Sequence, residues 1–181
     1  MNVTSSQRVA KVLSLSAILT ALGILIPLVM PAKIVIGPAS YTLASHVPIL
    51  LAMFISPFSA LMVTLGTTLG FLIAGFPIVI VLRALSHVIF AVVGAYWLQK
   101  KPALWDSLTA MLGFALVLNV LHAIGEVVVV YMMTAGTGAT ANYWFMLNVL
   151  IGIGTIIHGM VDFAIAYWLW KQLGLKALVT D

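Results

Sequence analysis

Residues 77–94, PIVIVLRALSHVIFAVVG, dictate where this chain can live. The run is long and apolar enough to enter a bilayer, yet it carries Arg83 and His87, four residues apart on one helical face. An arginine at the centre of a membrane helix costs roughly 2.5–3.5 kcal/mol on insertion scales. A face that bears such a cost turns toward protein or a wet cavity, where an anionic or polar group answers it. The expectation is a helical membrane protein in which Arg83 faces a small-molecule pocket.

The rest of the chain has the same character. It is 64% hydrophobic and only 7% charged, where a soluble domain carries about a quarter. A water-soluble globule could not hide that much apolar surface. The expected architecture is all-α: an integral membrane six-helix bundle forming a single domain over residues 1–181. The absence of cysteine excludes disulfides, a thiolate metal site and a cysteine nucleophile. The net charge of +4 comes from basic residues in short runs at helix ends, which membrane topology explains without a nucleic-acid partner. Arg8 and Lys11 before an apolar run resemble a signal peptide, but the run at 12–30 is longer than an h-region of about 7–15 residues. It reads as a retained first helix.

Six apolar segments can be drawn, at about 8–29, 44–56, 58–74, 78–98, 107–134 and 143–173, with a linker PAKIVIGPAS after the first. The second is short for a crossing at ~1.5 Å per residue. With six crossings both termini share one side. Arg8, Lys11, Lys100, Lys101, Lys171 and Lys176 fall on that side and Lys33 opposite, which places the termini in the cytoplasm.

Three successive segments carry polar stripes. Counted from the outer ends, Arg83 lies about 9 Å deep, Glu126 about 12 Å, His87 about 15 Å, His122 about 18 Å and Asn119 about 22 Å. Asn119, His122 and Glu126 share one face at i, i+3 and i+7. Asn148 is shallow on the sixth segment, and His158 and Asp162 form an i, i+4 pair toward its cytoplasmic end. Side by side, these helices would enclose a polar cavity open to the outside. The competing reading is structural: Arg83 with Glu126 as an ion pair, His158 with Asp162 as a buried pair, and His46 as a satisfied core histidine. Polar residues also join membrane helices, for about 0.6–2 kcal/mol.

Catalytic templates fit poorly. His122/Glu126 and His158/Asp162 lack the HExxH spacing of a helical zinc site, so no metal or cofactor is expected. There is no Gly-x-Ser-x-Gly elbow and no Walker A sequence. The chain is not expected to be an enzyme, and uphill transport would draw on an ion gradient or another subunit. Small residues give a second signal: Ala17 and Ala21 share a face flanked by Ala10, Ser14 and Gly23, and Gly66 and Gly70 do the same in the third segment. Such faces allow close helix approach, within the chain or against a partner.

Six helices, no ATP site and this Ala-x-x-x-Ala face resemble the substrate-binding S component of an energy-coupling factor (ECF) vitamin transporter. The segments YTLASHVPILLAMFISP (41–57) and GTTLGFLIAGFPIVIVLRALSHVIFA (66–91) look like the branch serving small carboxylate vitamins, with pantothenate as first choice and niacin as second. The resemblance implies a multi-pass protein of a bacterial cell membrane, partnered by a transmembrane coupling subunit and two cytoplasmic ATPases, that topples to deliver its vitamin. Ala17 and Ala21 would meet the coupling subunit. The vitamin would sit among the outer parts of helices four to six, capped by the linker, with Tyr41 helping to close the lid.

The chemistry suits an anion: Arg83 for a carboxylate, and Asn119, His87 and His122 for an amide and hydroxyls, which pantothenate has and niacin lacks. A niacin site would need the arginine and an aromatic platform such as Tyr143 and Trp144. Glu126 would repel the ligand unless it is protonated or orients a histidine. A self-sufficient ion-coupled carrier using Glu126 or Asp162, an intramembrane enzyme and a purely structural subunit are the rivals.

Overall fold

The computed structural model describes residues 5–137 and 140–174. Lys176, used in the topology count, and loop residues 138–139 lie outside the described residues. Helix α1 (Ser5–Val29) leads into a hairpin of β1 (Lys33–Ile36) and β2 (Ala39–Thr42). Then come α2 (Val47–Ile55), α3 (Pro57–Ile73) and α4 (Ile78–Lys100). A 3-10 turn (Pro102–Asp106) precedes α5 (Leu108–Thr134). The last rod, Ala141–Gln172, joins α6 (Ala141–Phe145), a π-helical stretch (Met146–Ile153) and α7 (Gly154–Gln172).

Local chemistry sets the boundaries. Ser56 ends α2 in an extended conformation and caps α3, its hydroxyl accepting from the Ser59 N–H at 3.0 Å, with Pro57 at the first helical position. Gly75, at φ +74°, and Pro77 separate α3 from α4. The expected linker is in fact a two-stranded hairpin: β-branched Ile34, Val35 and Ile36 pair with Tyr41, Ser40 and Ala39 around a Gly37-Pro38 turn, Gly37 taking φ +58°.

Among the described residues four helices are long and apolar enough to cross a membrane: α1, α4, α5 and the composite rod. α3 has 17 residues and α2 only nine. The chain is an all-α integral membrane protein; against the six crossings expected, the described residues hold four helices of crossing length, with α2 and α3 shorter. In packing order α1, α3, α4, α5 and α7 form an arc, and α2 is packed inside it against α1, α3, α4 and α7. Every residue of α2 is buried. The outer faces carry large apolar side chains, among them Ile18, Leu69, Ile89, Ile124 and Ile157, as a lipid-facing belt requires.

Gly66 and Gly70 belong to internal packing. A Cβ on Gly70 would come within 2.7 Å of the Ile24 backbone, so α1 and α3 touch there backbone to backbone. The same face of α1 buries Ser16, Leu19 and Gly23, which leaves Ala17 and Ala21 exposed on the other side. At one end of the bundle Phe54, Phe163, Trp105 and Trp170 pack edge to face and stacked. The polar site lies toward the other end, under the hairpin.

Candidate functional site

Arg83 is buried in α4 and holds two elements at once. Its Nη2 lies 2.7 Å from Glu126 Oε2 of α5, and its Nη1 donates to the Pro38 carbonyl at 2.5 Å and to Ser40 Oγ at 3.4 Å. Nε has no partner among the described residues. Glu126 divides its oxygens. Oε2 takes Arg83 and the Thr155 hydroxyl of α7, while Oε1 lies 2.9 Å from His87 Nε2 and 3.4 Å from His122 Nε2. The i, i+4 spacings of Arg83/His87 and His122/Glu126 bring both stripes to this point, as the sequence predicts.

A second carboxylate organises the start of α2. Asp162 accepts from the N–H groups of Ala44 at 2.9 Å and His46 at 3.0 Å, and its Oδ2 lies 3.0 Å from His46 Nδ1. Ala44 sits in the left-handed region at φ +63°, a conformation that non-glycine residues adopt only where surroundings enforce it. The positive end of α2 thus rests on an anion. This corrects the placement of Asp162 and His158 as a separate pair toward a helix end. The half-helix starts deep in the bundle and draws them into the same cluster, with His158 Nε2 3.5 Å from Asp162 Oδ2.

Ser40, Thr42, His46, Arg83, His87, Glu126, Thr155 and His158 line a cavity of about 20 Å³, room for a single water. The hairpin roofs it. Tyr41 donates its hydroxyl to the Leu150 carbonyl in the π-helical stretch and meets the His158 ring edge-on at 5.8 Å. Burial raises the Tyr41 pKa above its usual value, so the hydroxyl keeps the proton it donates. Gly154 leaves the space that Tyr41 fills.

Of the residues expected to contact a ligand, the structure brings Arg83, His87, His122 and Glu126 together under Tyr41. Asn119 and Asn148 stand apart. Asn119 donates to the Ala115 carbonyl at 3.0 Å and packs on Gly159. Asn148 lies in the π-helical stretch, whose i→i+5 bonding shifts the phase of its side chains. It faces outward, donates to the Trp144 carbonyl at 2.9 Å and edges an apolar surface groove. Tyr143 and Trp144, the expected platform, also lie outside the cavity lining. Sequence reasoning missed Ser40, Thr155 and the hub position of His46. The signal available was that a chain this apolar carries four histidines, three of them in segments already marked by polar stripes.

No family model matches the chain, and no solved structure matches it. A curated relative does: the niacin transporter NiaX of Lactococcus lactis subsp. cremoris (strain MG1363), 44% identical over 171 residues, covering 93% of this chain and 77% of the relative. Identity of that extent over most of the chain makes it a member of the NiaX family of membrane transporters.

Proposed function

We propose that this protein is the substrate-binding S component of an ECF-type vitamin importer and that its vitamin is niacin. Arg83 carries the reading. It is a buried, permanently charged fork whose partners are a carboxylate and a lid carbonyl, both of which a ligand carboxylate can replace. Niacin is a flat aromatic ring bearing one carboxylate. The walls beside Arg83 are imidazole rings, Phe71 and small hydroxyls, which suit a ring edge. Pantothenate, first choice from sequence, needs further donors for its amide and hydroxyls. The amide expected to serve it, Asn119, is spent on its own helix. The named substrate of the NiaX relative favours niacin as well.

The cavity is too small for either vitamin as it stands, so entry requires the hairpin to lift. Arg83, donating to Pro38 and Ser40, and Tyr41, donating to Leu150, hold it down. On this reading the exposed Ala17–Ala21 face of α1 docks on a transmembrane coupling subunit driven by two ATPases, with both termini cytoplasmic.

Tryptophan fluorescence or calorimetry on detergent-purified protein tests the vitamin. Niacin binding tighter than pantothenate binding, lost in a folded Arg83→Ala/Glu126→Ala double variant, is the expected result. Preference for pantothenate keeps the class and changes the vitamin. If neither binds, and Arg83 substitutions alter only thermal stability, the pocket reading fails. Uptake that follows a proton or sodium gradient without partner subunits would instead establish a self-sufficient carrier.

A further inference from the structure

All four histidines of the chain gather in one place, and three form a triangle. The ring centroids of His87 and His122 are 4.5 Å apart, and His46 lies 4.7 Å from each. Glu126 completes the set: one ligand-capable atom from each of the four side chains lies within 4.8 Å of the others. We propose that His46, His87, His122 and Glu126 form a binding site for a divalent transition-metal ion of the Zn²⁺, Co²⁺ or Ni²⁺ class. Sequence spacing argued against a metal because no HExxH pair is present. The ligands here come from the approach to α2, from α4 and from α5, and no local spacing rule covers that arrangement.

The unpaired nitrogens are an independent pointer. His122 is 3% exposed; its Nδ1 has no partner among the described residues and its Nε2 meets only Glu126 Oε1, at 3.4 Å, while His87 Nδ1 is likewise unpartnered. Buried polar atoms are ordinarily paired, and in hydrocarbon surroundings no bulk water can answer them. A metal ion would answer one nitrogen on each ring. Tetrahedral zinc, with Zn–N of ~2.0–2.1 Å, places its donors about 3.4 Å apart, so the four groups need to close by roughly an ångström.

The surroundings are those of a metal site. Asp162 holds His46 Nδ1 and leaves the opposite nitrogen for the ion, the carboxylate–histidine–metal arrangement that orients such ligands. Glu126 presents Oε1 to the histidines while Oε2 stays with Arg83 and Thr155, so coordination does not require breaking the ion pair. Three imidazoles and a carboxylate suit Zn²⁺, Co²⁺ or Ni²⁺; Mg²⁺ and Ca²⁺ prefer all-oxygen sets. A divalent ion with Arg83, set against Glu126 and Asp162, leaves one surplus positive charge, which an anionic ligand neutralises. Metal and anion binding therefore favour each other reciprocally. The site rests on these residues and not on the vitamin assignment.

The test uses full-length protein purified without a polyhistidine tag, stripped with chelator and free of vitamin. Co²⁺ is titrated by visible absorption and Zn²⁺ by calorimetry. The expected result is one ion per chain, ligand-field bands of a nitrogen/oxygen site, a raised unfolding temperature, and binding weakened by roughly tenfold or more in His122→Gln. No uptake by wild type, or equal uptake by folded His122→Gln, overturns the proposal. Should His122→Gln not fold, the Co²⁺ spectrum of the wild-type protein decides: bands support the site and their absence overturns it. Niacin binding to the stripped protein, measured separately, tells failure of the metal site from failure of the vitamin reading.

Discussion

Arg83 and Glu126 satisfy each other at 2.7 Å in a buried setting, so neither can be judged by its own removal. Truncating one leaves the other charged and unpaired, which costs about 3–5 kcal/mol in buried pairs, whereas removing both is far milder. Arg83→Ala should therefore lower the unfolding temperature strongly, and Arg83→Ala/Glu126→Ala should recover most of the loss, in detergent thermal scans. Both should lack vitamin binding. A double variant no more stable than the single would show that the pair is not what holds α4 to α5. Arg83, His87, His122 and Glu126 were legible because i, i+4 spacing survives from sequence into any helix. His46 was not, because its partner Asp162 is 116 positions away and reaches it only through the descent of α2. Asn148 was misplaced because a helical wheel assumes α geometry, and the π-helical stretch breaks that assumption.

α2 makes the site possible. A helix of nine residues cannot cross a bilayer, but buried inside the arc it delivers its positive end, with His46 and two backbone N–H groups, to Asp162. Leaving a buried donor unpaired costs about 1–3 kcal/mol, and Asp162→Ala strands two backbone N–H groups and the His46 ring. We expect that variant to fall in thermal stability and to lose protection of the Ala44 and His46 amides in hydrogen exchange, while α5 keeps its protection. Uniform loss across all helices would mean that Asp162 supports the whole bundle. The apolar segments were readable from composition and Pro/Gly punctuation to within a few residues. The hairpin was not, since four-residue strands flanking Gly-Pro look like any linker until something below gives them a surface to lie on.

For the molecule as a whole, apolar surface is unevenly committed. α1 is the least buried of the crossing-length helices, and its outer face is smooth at Ala17 and Ala21. If that face meets a coupling subunit, Ala17→Trp or Ala21→Trp should leave vitamin binding to the isolated protein unchanged and abolish uptake in cells supplying the partners. Unimpaired uptake would move the docking surface elsewhere. The membrane class was plain from sequence, because charge is counted without knowing any contact. Which faces meet lipid, partner or core depends on packing that composition does not record.

Arg83 grips the roof and the floor of the cavity with one guanidinium. An incoming carboxylate has to take a share of that grip, and whichever oxygen it displaces, the tension on the hairpin changes at the same instant. On the proposed vitamin-binding reading, occupancy would thereby be transcribed into the posture of a surface loop, where a second protein could tell a loaded molecule from an empty one without touching the vitamin.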